Sequence, residues 1–596
     1  MLMKFSCIFL LVLAPSIMFD LCAQSLNSAD KLAFDQRSKA VLDLFDVSPA
    51  HLAKCQLKQA GYLIGAMVAK NSPKSDINAF AIRLIENGNE QQLINRGFDY
   101  APLMDAYIRW NNYYTDETKS AFKHFFTTQS GYKTSGTYNE VVMLATARFF
   151  VSQVWGEDNL PDSTAFKKDD RNAKKYLMKE MNDLVYMGMK EYGSNPYAPF
   201  PMGCFLSLAD LSTDLEVKNM ASIAYEVVLA QSIVPSLQGN YMAATGRSYP
   251  DVWLGDTDGT MLMSYVWPYI GLGGISKNNY YIMILPCVSN YRLPNNLYQI
   301  ATNRKVKEVI KTNFQNKFQY SYLNKNFGIY SQQEPGNTGA QAQRSGVLWV
   351  NNDNTKSNLL WITNPMWDDF LMVRQRHTHG MTGFERIAQF EGTTVHTYNI
   401  PNSETHSDGK IPVAINKYAL GWVPGSYLAK IDNSSTSGRI FLHYGKVLIA
   451  ITATKKFEWN ASVPPSSFNS PSDIKSGDSQ FKVEGLQFGV AIETADPDEY
   501  SGTAQAQLEA FKKDIIKQNI GYDVNSLTTT YTDRSGNIIT CSFNGGDRIN
   551  NVLIAYDNSW GILNCKGVFQ LPNNNLTITY KNEKTVYDFV NWKIIK

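Results

Sequence analysis

The 596 residues are 44% hydrophobic and 18% charged, which excludes a disordered polyelectrolyte and leaves room for roughly three to four average domains or two large ones. Fifty-six Lys and Arg against 54 Asp and Glu give a net charge of +2, so no broad basic face for nucleic acid is written into the chain. Aromatic residues reach 12%, more rings than a charge-poor surface needs; core packing is their first use and stacking on sugars a second.

The chain opens with Lys4, an apolar run from Phe5 to Leu13 continued by Ile17, Met18 and Phe19, and small residues at Cys22 and Ala23. This is the pattern of a signal peptide over 1–23, cleaved after Ala23 to release a secreted or periplasmic protein. Lipidation of Cys22, giving an outer-membrane lipoprotein, is the alternative; Leu21 stands where such processing takes a small residue. No later stretch holds about 18 uninterrupted apolar residues, so no transmembrane segment is expected. Cys55, Cys204, Cys287, Cys541 and Cys565 contain no C-x-x-C pair. Cys541 and Cys565 fall in successive strand-like segments and read either as one disulfide or as two buried thiols.

From about Asp35 to Thr312 helical spacing recurs, over 51–69, 75–95, 137–155, 171–191, 197–211 and 214–236. In 137–155, Val141, Leu144, Ala145 and Phe149 fall three and four apart and form one buried stripe. Helices of this length, without heptads and joined by short polar turns, suit antiparallel hairpins closing into an (α/α) toroid. Beyond about Lys317 the texture becomes short β-branched or alternating runs such as SGVLWV, RIFLHY, KVLIAITA and LTITYKN, separated by Asn, Gly, Asp and Ser. One helix interrupts them at about 503–518, and 464–479 reads as a long exposed loop. The expected fold is α+β and multidomain: an N-terminal (α/α) toroid over 24–316, then an antiparallel β-sandwich over 317–596.

In such a toroid every second helix starts on the same rim. The helix opening at Ser135-Gly-Thr-Tyr-Asn-Glu140, the one opening at Ser194-Asn-Pro-Tyr197 and the loop 239–259 with Gly246-Arg-Ser-Tyr249 and Trp253 should therefore share a rim. Helix N-termini carry unpaired N–H groups and partial positive charge, which favours an anion such as a sugar carboxylate. Asn139 and Arg247 add directed donors, and Tyr197 and Tyr249 add hydroxyls. Carboxylate neutralisation plus phenolic proton transfer is what β-elimination across C4 and C5 of a uronic acid requires, because abstracting the C5 proton places more negative charge on the carboxylate. Each residue also has a structural reading: Thr137-x-x-Glu140 fits a capping box, Pro196 fits a helix start, and Arg247 can pair with Asp251 or Asp256.

The layout and these motifs resemble the exported polysaccharide lyases of the heparinase II/III-like and alginate-lyase-like group, which join an (α/α) toroid to an antiparallel β-sandwich. GTYNEVVMLATARFF is similar to the segment where those enzymes carry an Asn-His pair, and NPY at 195–197 to the place of a catalytic Tyr. The resemblance implies that Asn139 neutralises the substrate carboxylate and Tyr197 is the acid, or acid and base. Where that pattern has His this chain has Glu140, a substrate-side residue in this reading. Either tyrosine performs both transfers or the base comes from the β half, where Arg374-Gln-Arg-His-Thr-His379 offers His377, with Arg376 and His379 as sugar-binding neighbours. Trp110 and Trp253 are candidate stacking subsites. No cofactor is required, and a structural metal ion is allowed for but not expected. The partner implied is an acidic polysaccharide or oligosaccharide. Two other functions remain open at this level: a glycoside hydrolase using Glu140 with Asp256 or Asp258 as paired carboxylates, and a glycan-binding protein without catalysis.

Overall fold

The computed structural model describes residues 28–90, 96–128, 136–156, 172–248, 260–275, 280–304, 307–333, 342–350, 358–365, 382–403, 405–408, 411–426, 428–433, 438–460, 477–571 and 575–596. Among the described residues, those from 28 to 304 are mainly helical and those from 307 onward are mainly antiparallel sheet, with an α-helix at Ala504–Ile515. Five helices form a closed inner ring. Leu57–Ala69 packs on Arg96–Arg109, that on Tyr138–Trp155, that on Pro199–Leu211, that on Ile284–Val288, and the last packs back on Leu57–Ala69. Outer helices alternate with them in sequence: Lys74–Glu90, Asp116–Thr128, Ala173–Met187 and Leu215–Ile233. The first four inner helices, each separated from the next by one outer helix, accordingly run parallel and start on one rim, the toroid geometry that the periodicity predicts. Their sequences explain their place. YNEVVMLATARFFV and PFPMGCFLSL are apolar on every side, as a helix walled in by neighbours must be.

The β half is layered. An eight-stranded sheet (Glu308–Phe314, Lys317–Leu323, Phe327–Gln332, Ser345–Trp349, Leu359–Thr363, Tyr418–Val423, Ser479–Glu484, Phe457–Asn460) stacks on a six-stranded one built around Gln487–Ala495. Strand Leu359–Thr363 shows how the middle strands are used: Leu360 and Ile362 enter the core between the two sheets, while Leu359 and Trp361 join the core of the helical ring. Burial on both faces is why LLWIT reads as a continuous apolar run rather than an alternating one. The six-stranded sheet is covered on its far side as well. Ala388, Val395 and Ala491 meet Tyr531, Ile539 and Cys541 of a five-stranded sheet over 520–553, and Phe441, Leu448 and Ala450 meet the helix Ala504–Ile515. The sandwich is thus three layers deep.

Two features depart from the sequence reading. Strand texture begins at Glu308, ahead of about Lys317: Glu308–Phe314 pairs antiparallel with Lys317–Leu323 around a turn in which Gln315 and Asn316 take positive φ. And residues 568–596 form a four-stranded sheet that folds back on the helices, where Asn296 Nδ2 donates to the Ile578 carbonyl at 2.9 Å and Phe589 packs against Tyr186. Cys541 and Cys565 are both free thiols, not a disulfide, because Cys541 is sealed between sheets while Cys565 lies beside Arg304. Among the described residues no helix is long and apolar enough to cross a membrane. The leader, with Cys22, and most of the 464–479 stretch lie outside the described residues.

Candidate active site

Tyr197 stands in the turn before an inner helix. The helix itself begins at Pro199, two residues later than the Ser194-Asn-Pro start signal suggests, since Pro199 occupies the first position and residues 194–198 form successive turns instead. The Ala198 N–H donates to the Ser194 carbonyl at 2.9 Å, holding this turn. Gly193 makes the sharp entry possible: its φ is 55°, and the Tyr241 ring lies where a side chain would go.

Arg247 arrives from the loop that follows Asn240–Tyr241. Its guanidinium lies over the Tyr197 ring, 3.9 Å from the centroid, and Nη1 donates to Glu191 Oε1 at 3.0 Å. Glu191 is a carboxylate partner that the sequence reading did not name; Asp251 and Asp256, the partners it did name, lie outside the described residues. Burial pushes the Glu191 carboxyl above the ordinary range, and Arg247 pulls it back. Close approach of the two chain segments is set by Tyr192 and Gly246. The Gly246 N–H donates to the Tyr192 carbonyl at 2.9 Å and the Tyr192 ring covers Gly246, where a Cβ would collide with it.

The start of the 138–155 helix adjoins this group through Lys190. Lys190 Nζ stands 5.5 Å from the Tyr138 ring centroid and bonds both oxygens of Glu180 at 2.6 and 2.7 Å, while its neighbour Glu191 holds Arg247. Asn139 is fully buried. Its Oδ1 accepts from Thr137 Oγ1 at 2.7 Å, and its Nδ2 has no hydrogen-bond partner. A buried amide with unused donors costs on the order of 1–3 kcal/mol, which a bound carboxylate oxygen would recover. The capping box at Thr137 and Glu140 does not form, because the Thr137 hydroxyl is turned to Asn139 rather than to the helix N–H groups. The Glu140 carboxylate instead folds back over Gly136, where an added Cβ would lie 2.8 Å from Oε2.

The β half closes over this rim. Thr245 and Gln343 exchange both backbone hydrogen bonds at 3.0 Å, and the Tyr192 hydroxyl donates to Gln332 Oε1. Both contacts pin the segments carrying Glu191 and Arg247 to ends of the eight-stranded sheet.

Asn139, Tyr197 and Arg247 therefore come to one rim, as the alternation of helices predicts. Trp110 does not. It ends the 96–109 helix, on the opposite rim, and is buried against Gly65, so it is core and not a stacking subsite. Tyr249, Trp253, Arg376, His377 and His379 lie outside the described residues. Sequence reading missed Glu191, Tyr192, Asn195, Gln332 and Gln343. Glu191 had one usable signal, a charge placed directly before the Gly-Ser-Asn-Pro turn; the two glutamines of the β half had none. His396, which carries no sequence pattern, is sealed inside the sandwich on Glu385 at 2.7 Å. Among the described residues no cluster of metal-ligating side chains occurs.

No family model and no curated protein matches the chain. Among solved structures it is similar to heparan sulfate lyase HepC from Pedobacter heparinus, at 12% identity over 90% of each chain with a TM-score of 0.38, and to a HepC mutant at 14% identity, 87% of this chain and 90% of that one, TM-score 0.37. A mutant of the Streptomyces coelicolor A3 chondroitin AC lyase is similar at 8% identity over 95% of this chain and 90% of that one, TM-score 0.36. Overlays this loose leave the chemistry to rest on the residues of the rim.

Proposed function

We propose that the protein is a polysaccharide lyase that cleaves a uronic-acid-containing glycan by β-elimination. The observation that carries this is the stack of Arg247 on Tyr197, together with an Asn139 amide donor buried without a partner at the start of another inner helix. Arg247 fixes the Tyr197 ring by lying on its face, and Tyr197 takes the C5 proton and returns one to the departing O4. Asn139 Nδ2, with the N-terminal N–H groups of its helix, receives the carboxylate and the charge that builds on it during abstraction. Glu191 holds Arg247 in place without touching the sugar. Tyr249, His377 and the sequence neighbours Arg376 and His379 are the proposed second acid–base and sugar-binding groups, and Trp253 and Glu140 are proposed as further sugar-binding residues. In this reading the 24–316 unit supplies the chemistry, the 317–596 unit covers the rim, and residues 1–23 export the chain.

The test is a panel of uronate glycans followed by ultraviolet absorbance. Elimination produces an unsaturated uronyl end and a rise in absorbance with each bond cut. Reducing ends without that rise would assign hydrolysis instead, and retention of glycan with neither signal would assign binding alone.

A further inference from the structure

Between the ring and the eight-stranded sheet lies a small cavity of ≈ 10 Å³, lined in part by Asn195, Thr245, Thr260, Tyr330 and Gln343. Two of these side chains are more than nine-tenths buried and have a polar atom with no partner: Asn195 Oδ1, an acceptor, and Gln343 Nε2, a donor. Amides left unsatisfied in this way are rare in folded proteins, and here an unused acceptor and an unused donor border the same space. The group that completes both at once donates one proton and accepts another. A hydroxyl does this; a carboxylate or an ammonium cannot.

The walls are fixed before anything enters. The Asn195 carbonyl accepts from the Leu262 N–H at 3.1 Å, and Thr260 caps that helix through Met263 N at 3.3 Å. Gln343 is held on the other side by its double backbone bond to Thr245.

We infer that this cavity is a notch for a single hydroxyl group, in which Asn195 Oδ1 accepts the hydroxyl proton and Gln343 Nε2 donates to its oxygen. The hydroxyl has two sources, water and the sugar. Asn195 is two residues from Tyr197 and Thr245 two residues from Arg247, so a hydroxyl from the sugar would be one carried by the glycan at the proposed elimination site. Only this second source rests on the lyase reading.

Crystal structures of the full chain, alone and soaked with glucuronic acid, decide the matter. The expected result is one oxygen within hydrogen-bond distance of both amide atoms, belonging to water in the first crystal and to water or a sugar hydroxyl in the second. Gln343→Met, of similar length but without the donor, should lose it; Asn195→Leu is the second variant should that one fail to fold. A notch without an oxygen in either wild-type crystal overturns the inference, whether or not the protein eliminates. On a glycan that the absorbance assay shows to be cut, Gln343→Met should raise KM three- to tenfold with kcat within twofold if the sugar supplies the hydroxyl, and leave both unchanged if water does.

Discussion

The two rims of the helical ring hold the same residue types in opposite arrangements. On the far rim Arg109 bonds Asp105 at two points, 3.1 Å each, and Asp210 at 2.9 Å, while Asp210 also accepts from Ser289 at 3.1 Å. Three inner elements are tied there by a guanidinium that meets carboxylates. On the near rim Arg247 bonds Glu191 and lies against the Tyr197 ring, and Asn139, at the start of another inner helix, keeps a buried donor without a partner. A closed network fastens; an open one is available to a ligand. Arginine beside acid is thus no guide to function until what remains unsatisfied is counted.

Breaking the near rim should have the largest effect on turnover. Tyr197→Phe removes only a hydroxyl and is expected to lower kcat by about 10²–10⁴-fold, the range for loss of a general acid or base, with Tm nearly unchanged. Kinetics by absorbance and a melting curve check both halves of that statement. The far rim should answer in the other coordinate. Arg109→Met leaves Asp105 and Asp210 buried without their cation and should cost about 3–5 kcal/mol in urea unfolding, while kcat of the folded fraction stays within a few-fold.

How far this contrast was legible in the sequence follows from what each feature depends on. Helix spacing reported the ring because Val141, Leu144, Ala145 and Phe149 must face neighbours, and alternate helices then had to start together. The strand run LLWIT could be recognised as strand, but not as the wall between two cores, since a run buried on both faces has no period to read. Asn139 and Tyr197 could be singled out because they sit at or just before helix starts, and Arg247 because its loop leads into the next one. Gln332 and Gln343 escaped because their role comes from a meeting across the chain that no local pattern encodes. Trp110 misled for a related reason: a ring at the end of a polar-looking YIRWNNYY segment gives no sign of which rim it reaches.

A third comparison uses pH. Burial raises both Glu226, in the helical half, and Glu493, in the β half, to about 7. Each binds a proton in the folded state that the unfolded chain releases near 4.5, so the stability they confer is complete below 4.5 and is lost as pH rises through about 7. The linkage is on the order of 3 kcal/mol at most for each. Denaturation midpoints at pH 5 and pH 8 should differ in this direction, and Glu226→Gln should flatten the profile; an unchanged slope would remove Glu226 from it. The smallest effect sharpens the near rim alone. Arg247→Lys keeps the charge but loses the planar face, so turnover in the absorbance assay should drop about tenfold, near 1.4 kcal/mol.

The sheet over 568–596 has a consequence for how the protein is made. Tyr587 reaches Glu226 on a helix synthesised hundreds of residues earlier, and Asn296 waits for the same sheet. Emerging chains tend to fold domain by domain from the front, yet this ring keeps an acidic group and an apolar flank uncovered until nearly everything else has been translated. Full cooperativity of the first half is therefore deferred to the last strands, and a polypeptide stopped short of them would present a ring with a sticky, uncovered flank for chaperones or proteases to find.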